Sequence, residues 1–591
     1  MRSRTMLFFV LAVAALALQL FLLNRYIVNK FNYNYNTTIF KFYSAAVALA
    51  DAIILLTVYW LLPQRRKVWT WLLLALLLVY GLVQMLYFPT YHDIMPWSSF
   101  AYVQNVDSVL IHSALGEFKV MHLLLFVPMT ALLVAWVLWR RRIANEHLPH
   151  RTRMWMVITC VFAYLAIHFG MLFANDGGLL VQKGPLNRRV KTYSQLIATH
   201  TRYYLKFGFV AYSTRAAIRT VMESRDMSAD ERQQVEAYLA DLPKYSDNPF
   251  GQQGKNLIFI VVESLNAWVI DLEIDGRPVT PVLNALCADS SALVALHVKT
   301  QVKTGHSSDG HFMYNTGLLP LTTESVAMNY GSCDYPALAK ALKGYHCFER
   351  ICEGGTVWNQ FETCRSYGFE KLYDFDDLRP IVEECDWMED RALFRRGPDH
   401  VAKARKPYFM FMVTANMHSP YDKPRMVKTG WISDSKAYTP EVRNYLDVTS
   451  VFDEELGIFL DKLKQMGAYD NTIIVIASDH TERVDDDPKG RASISPEGDD
   501  CVFIALNTGH GGRINDIVGQ IDVYPTVLDL MGANDYPWKG LGRSMLRHPE
   551  GAVAIGPDLV KGHSDPATVN RMKEAWRISE LMITRHYFKK K

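Results

Sequence analysis

At 591 residues the chain is longer than one hydrophobic core usually organises, so at least two structural units are expected. Its 63 Lys and Arg are nearly balanced by 60 Asp and Glu, which excludes the global basic field of a nucleic-acid-binding protein. Half of the residues are hydrophobic and they crowd the first third, so a membrane part is expected ahead of a more polar one.

In chain order, Met6–Leu23, Ala45–Leu62, Val68–Phe88, Val120–Trp139 and Met154–Phe173 are mostly apolar runs, each of roughly 18 to 22 residues and long enough to cross a bilayer as a helix. The reading is a bundle of five spans within residues 1–175. Asp51 is the one charge inside them, either a functional acid in lipid or a side chain reaching the interface from near a span's end. The first run lacks a small-x-small cleavage site and is followed by further spans, so it reads as an anchor and not a cleaved leader. Arg2 and Arg4, then Arg65, Arg66 and Lys67, then Arg140–Arg142, Arg151 and Arg153 occupy alternate connections, which puts these inside and everything after Phe173 outside. The aromatic loop Tyr87–Lys119, poor in basic residues, fits the outer interface.

Seven of the eight cysteines (Cys287, Cys333, Cys347, Cys352, Cys364, Cys385 and Cys501) fall in the exported part, where disulfides are expected in preference to metal ligation because the spacings match no zinc knuckle. The odd count leaves at least one thiol unpaired. Residues 176–250 read as a helical linker: Met227–Tyr245 has amphipathic spacing, and Ser228 with Glu231 fits a capping box.

Residues 251–591 read as an α/β domain with a mostly parallel sheet covered by helices. Leu257–Val262, Tyr408–Val413, Thr472–Ala477 and Val502–Leu506 are continuous aliphatic or aromatic runs, expected of strands buried on both faces, and Val442–Met466 reads as an amphipathic helix. Ligands of such sheets gather beyond the carboxyl ends of the strands. There the chain places Glu263 and Ser264, then Asn416, Met417 and His418, then Ser478, Asp479 and His480. A single acid at a strand end is usually a cap. Glu263, Asp479 and His480 at matching ends of one sheet read instead as ligands for a divalent metal of the zinc or manganese kind, with a position left open. Thr304–Phe312, small, polar and glycine-containing, is suited to a nucleophile and to a helix N-terminus that holds a phosphate.

The ordered strings VVESL, TGHSSDGHFMYNTGLLPL, WNQ, VTANMHSPY, IASDHTER and GQIDVYPTVLDLMG resemble the lipoteichoic acid synthase branch of the sulfatase and alkaline phosphatase superfamily, over about Asn256 to Gly532. The five spans resemble that family's membrane part. The resemblance implies metal ligands at Glu263, Asp479 and His480, with Mn2+ or Zn2+ expected and Mg2+ permitted. It implies a nucleophile and further ligand at Ser307, where the family more often has threonine; Ser308 and Thr304 stand close by as alternatives. His418 matches a histidine that contacts the phosphate and donates a proton to the leaving group. Trp358 matches a substrate-pocket tryptophan, but Gln360 replaces the arginine expected two residues later, and His311 stands where an acidic residue is common.

The function implied is a two-step transfer of a phospho-headgroup, phosphoglycerol first and phosphoethanolamine as the alternative, from a membrane phospholipid to a cell-envelope glycan or lipid acceptor through Ser307. The enzyme is expected in a bacterial inner membrane, multi-pass, with its catalytic domain outside. A sulfatase would need Cys or Ser followed by Pro and Arg, a motif missing around Ser307. A non-catalytic membrane sensor would bind no stoichiometric metal.

Overall fold

The computed structural model describes residues 2–30, 38–62, 68–91, 94–95, 123–124, 126–143, 149–173, 200–223, 226–242, 247–322, 324–355, 357–378, 390–418, 421, 428–432, 435, 438–481, 500–533, 535–547 and 549–588. The basic connection Arg65–Lys67, most of the loop Tyr87–Lys119, residues 174–199 of the connector and Cys385 lie outside them. The chain forms two compact units, Met1–Met222 and Glu223–Lys591.

The first unit is helical: α1 (Arg2–Lys30), α2 (Thr38–Leu56), α3 (Val68–Tyr91), α4 (Val127–Ile143), α5 (His150–Phe173) and α6 (His200–Glu223). Three stretches are long and apolar enough to cross a membrane: Met6–Val28, Ser44–Leu61 and Trp69–Leu86. The expected count of five is not reached among the described residues. The apolar part of α4, Val127–Leu138, is shorter, and α5 begins with His150, Arg151 and Arg153.

Two hydrophobic layers organise the bundle. Phe8, Leu16, Trp60, Trp71 and Met129 build one. The carboxyl ends of α1 and α3, through Leu23, Ile27, Tyr80 and Phe88, build the other with Tyr203, Tyr204, Phe207 and Phe209 of α6.

Within that second layer α6 is broken at Gly208, whose φ of 85° is a conformation L side chains rarely adopt. A break strips backbone groups of their helical partners, and in an apolar setting they need others. Asp51 of α2 accepts from the Phe209 N–H at 2.6 Å and the Val210 N–H at 3.2 Å, while Nε2 of His168 on α5 lies 3.0 Å from the Phe207 carbonyl. Asp51 is thus a buried cap for an interrupted helix, and neither an interface-seeking charge nor a lone acid in lipid.

The second unit holds a nine-stranded sheet: β1 (Asn256–Val262), β2 (Leu293–Lys299), β3 (His346–Ile351), β4 (Lys371–Tyr373), β5 (Tyr408–Val413), β6 (Thr472–Ser478), β7 (Cys501–Leu506), β8 (Gly512–Ile514) and β9 (Val518–Gly519). The order is β8-β2-β7-β6-β1-β5-β3-β4, with β9 also paired to β2. Pairings from β6 through β1, β5 and β3 to β4 are parallel, and β7 runs antiparallel to both β6 and β2. The sheet is therefore mixed.

Continuous apolar strands are explained by two cores. Leu257, Phe259 and Val261 of β1 face one, Ile258, Ile260 and Val262 the other. Helices cover both faces, including α7 (Ala229–Asp241), which has the expected capping box at Ser228 and Glu231.

No disulfide joins any two of the described cysteines, against expectation. Cys347 and Cys501 on strands, Cys352 just past the end of β3 and Cys364 on the helix that follows are all buried and pack as small apolar residues.

Candidate functional site

Parallel pairing of β1 with β6, in register at Val262 and Ser478, delivers Glu263 and Asp479 side by side at the carboxyl edge. Ser264 then turns with φ 54°, donating its N–H to Asp479 Oδ1 at 2.8 Å and its hydroxyl to Glu263 Oε1 at 2.7 Å. His480 follows with its own N–H on Asp479 Oδ1 at 2.6 Å, and its Nε2 lies 3.5 Å from Glu263 and 3.6 Å from Asp479. All three side chains are buried, with one ligand atom of each within 4.8 Å of the others.

Helix α8 (Ser307–Thr316) brings the hydroxyl. Its first turn is entered through His306 at φ 42°, and Gly310 rests on the end of β6: a β-carbon there would lie 2.4 Å from the Asp479 carbonyl oxygen. Ser307 Oγ consequently donates to Glu263 Oε2 at 3.1 Å and sits 3.3 Å from His480 Nε2. Of its two neighbours, Ser308 is engaged with the Gly305 carbonyl at 2.7 Å and Ser325 at 3.2 Å, and Thr304 approaches the Thr322 carbonyl. Only Ser307 of these three hydroxyls hydrogen-bonds to the Glu263–Asp479–His480 group.

The donor set fits a divalent cation. Burial, then the negative charge of Glu263, pushes the Asp479 carboxyl well above the usual carboxylate range, with His480 and the Ser264 N–H acting the other way. Among the described residues Asp479 Oδ2 has no hydrogen-bond partner, although it is buried. A bound cation would supply both the missing partner and the missing charge.

The other expected residues lie on separate elements. His418, half-buried, follows β5. His311 lies one turn beyond Ser307, buried, with its ring 6.3 Å from that of Phe411; burial holds it down to about 4, so it is neutral. Trp358 and Gln360 stand at the end of the segment after β3, the first half-exposed and the second buried.

Several buried polar residues that sequence reasoning passed over hold the site together. Asp309 Oδ2 accepts the N–H groups of Lys303 and Gly305, at 2.8 and 3.0 Å, pinning the loop before Ser307. Gln520 Nε2 donates to the Asp479 carbonyl at 2.6 Å. Both lie inside quoted strings, so their polar type within otherwise apolar or glycine-rich surroundings was the available signal.

Asp390, which opens α9 (Asp390–Lys403), had no such signal. It accepts from the Ala415 N–H at 2.7 Å and the Asn416 N–H at 3.2 Å, fixing the turn that carries His418. Asp390→Ala should cost about 1–3 kcal/mol in chemical denaturation, because two buried donors lose their acceptor.

The chain thus combines a helical unit that holds membrane-length apolar helices with a mixed α/β unit that has metal-type ligands at one strand edge and a serine on the helix beside them. The sulfatase family matches residues 255–533, and the lipoteichoic acid synthase N-terminal domain matches residues 1–193. Each of the two matches covers less than half of the chain, one on each side of the boundary region between its two units. Lipoteichoic acid synthase 2 of Bacillus subtilis (strain 168) is 26% identical over 363 residues, which are 57% of this chain and 55% of that one. Lipoteichoic acid synthase of Staphylococcus aureus (strain USA300) is 23% identical over 499 residues, 81% of this chain and 75% of that one. The matched region thus spans little more than half the length of the Bacillus subtilis protein. Two solved structures share the fold. LtaP of Listeria monocytogenes matches with TM-score 0.52 and 19% identity over 59% of this chain and 98% of that one. The phosphoethanolamine transferase EptA of Neisseria meningitidis matches with TM-score 0.51 and 14% identity over 88% and 95%.

Proposed function

We propose that this chain is a multi-pass membrane enzyme that transfers a phospho-headgroup from a membrane phospholipid to a glycan or lipid acceptor of the cell envelope, with Ser307 as nucleophile. The observation that carries this reading is the Ser307 hydroxyl lying 3.1 Å from Glu263 and 3.3 Å from His480, buried against two strand ends.

In the first step Ser307 Oγ forms a bond to phosphorus, its proton passing to an adjacent base, and the phosphorus–oxygen bond to diacylglycerol breaks. His418 is the proton donor to that leaving oxygen. In the second step an acceptor hydroxyl attacks the same phosphorus, the bond to Ser307 breaks and the serine is restored. Glu263, Asp479 and His480, with the Ser307 oxygen, would hold Mn2+ or Zn2+, and Mg2+ is compatible with the oxygen ligands. Bound there, a divalent cation supplies Lewis-acid stabilisation of the charge on phosphate oxygen. Trp358, Gln360 and His311 are the remaining substrate-side residues of the proposal.

The proposed topology, five spans with the amino terminus inside and the catalytic unit outside the inner membrane, is supported by the alternation of basic connections. It gives the enzyme direct access to a lipid donor.

The test is intact-mass and peptide analysis of the full chain incubated with Mn2+ and phospholipid. An adduct on Ser307 that requires both the metal and the serine is the expected result. Absence of any such adduct, together with absence of stoichiometric bound metal, would favour a non-catalytic membrane sensor.

A further inference from the structure

The parallel strands β2 and β9 end side by side, Gly519 opposite Lys299, so the residues that follow them leave the sheet together. Gln520 comes directly after β9, and Thr300 and Gln301 come directly after β2, at the start of the loop that runs to Ser307. The Gln520 side chain is fully buried. Its Oε1 accepts from the Gln301 N–H at 2.8 Å and from the Thr300 hydroxyl at 3.2 Å. Its Nε2 donates to the Asp479 carbonyl at 2.6 Å and to the Tyr314 hydroxyl of α8 at 3.0 Å. Tyr314 in turn donates to the Ser478 carbonyl.

Two donors meet the amide oxygen and two acceptors meet the amide nitrogen, so both ends of the amide are used and only one orientation satisfies them. A flipped amide would set its oxygen against the Asp479 carbonyl. One side chain therefore ties together the start of the nucleophile loop, the helix that carries Ser307, and the strand end that carries Asp479 and His480.

The last of these ties reaches the ligands themselves. The Asp479 carbonyl and the His480 N–H belong to one planar peptide unit, so holding the first fixes the direction of the second. That N–H donates to Asp479 Oδ1 at 2.6 Å, and the same plane thus sets how the Asp479 carboxylate and the His480 ring stand to one another. Without the amide the buried carbonyl loses its 2.6 Å partner and the plane is free to tilt.

We infer that Gln520 is a positioning residue that sets the affinity of the site for its divalent cation, by fixing the peptide between Asp479 and His480. This rests on the metal-dependent transferase reading given above. Groups that orient metal ligands without touching the metal typically account for about 10–100-fold in affinity.

The experiment titrates Mn2+ and, in a separate series, Zn2+ into the chelator-treated full chain by calorimetry, and follows headgroup transfer at low and at saturating metal. Gln520→Met keeps the length of the side chain and removes both ends of the amide. It is expected to weaken binding of the cation by about tenfold or more, with the transfer rate reduced at low metal and largely restored at saturation. Tyr314→Phe keeps the ring in the core, removes only the shared hydroxyl, and should weaken binding by about threefold. Thr526→Val is the control: Thr526 is equally buried and its hydroxyl bonds to Asp522 and Met545, so the variant should unfold more easily and keep the wild-type affinity. Wild-type affinity in Gln520→Met and Tyr314→Phe, an equal loss in Thr526→Val, or a rate that saturating metal does not restore overturns the inference and leaves the transferase reading standing. Should Gln520→Met fail to fold, wild-type affinity in Tyr314→Phe alone overturns it. A wild-type chain that binds neither cation overturns both.

Discussion

Ser307→Ala is expected to abolish the covalent adduct and to lower turnover by about 10⁴-fold or more, as removal of a nucleophile does in enzymes that act through covalent intermediates. The hydroxyl donates to Glu263 and faces His480, and neither Ser308 nor Thr304 is aimed to replace it, their hydroxyls being directed at Gly305, Ser325 and Thr322. Ser308→Ala should therefore retain most activity, and Ser307→Thr, which keeps the hydroxyl, should retain a measurable part. Adduct mass and initial rates on the same preparations check all three. If the alanine variant at 307 forms the adduct and that at 308 does not, the assignment moves by one residue.

Gly310→Ala is expected to have an effect of similar kind without touching any reacting group. The added methyl would sit 2.4 Å from the Asp479 carbonyl oxygen and 3.0 Å from the atoms behind it, all backbone at the end of a buried strand. Neither partner can turn aside as a side chain would, so helix α8 must lift from the strand edge and carry Ser307 away from Glu263 and His480. Displacements on the order of 1 Å cost about 100-fold in rate, and the overpacking itself costs about 1–3 kcal/mol. A variant that folds, binds metal as the wild type does and loses turnover would separate this geometric effect from loss of the ligands. Unchanged turnover would show that α8 can be seated elsewhere.

Much of this arrangement was legible beforehand because parallel strands buried on both faces leave unbroken apolar runs. β1, β5, β6 and β7 were each located to within a residue or so at either end, and the metal-type ligands are simply the residues where those runs stop. Strand β3 was missed, since His346, Glu349 and Arg350 interrupt the pattern. Its arginine is fully buried and donates from its two terminal nitrogens to the Leu393 and Arg396 carbonyls at 3.0 Å, long-range partners that no local window reveals. Asp390 escaped notice for the same reason: its partners Ala415 and Asn416 are some 25 residues away in the chain. The disulfides inferred from compartment alone gave way to packing, because five of the thiols sit inside the two cores. The neutral Gln360 was visible as a departure, whereas its pairing with Glu353 needed the fold.

The interrupted helix of the first unit also constrains biogenesis. Until Asp51 and His168 are in place, the segment around Gly208 would leave two N–H groups and a carbonyl without partners among apolar side chains, at about 1–3 kcal/mol each. Packing of α2 and α5 must therefore come before α6 can settle, and a chain stalled ahead of that docking carries an unsatisfied polar seam.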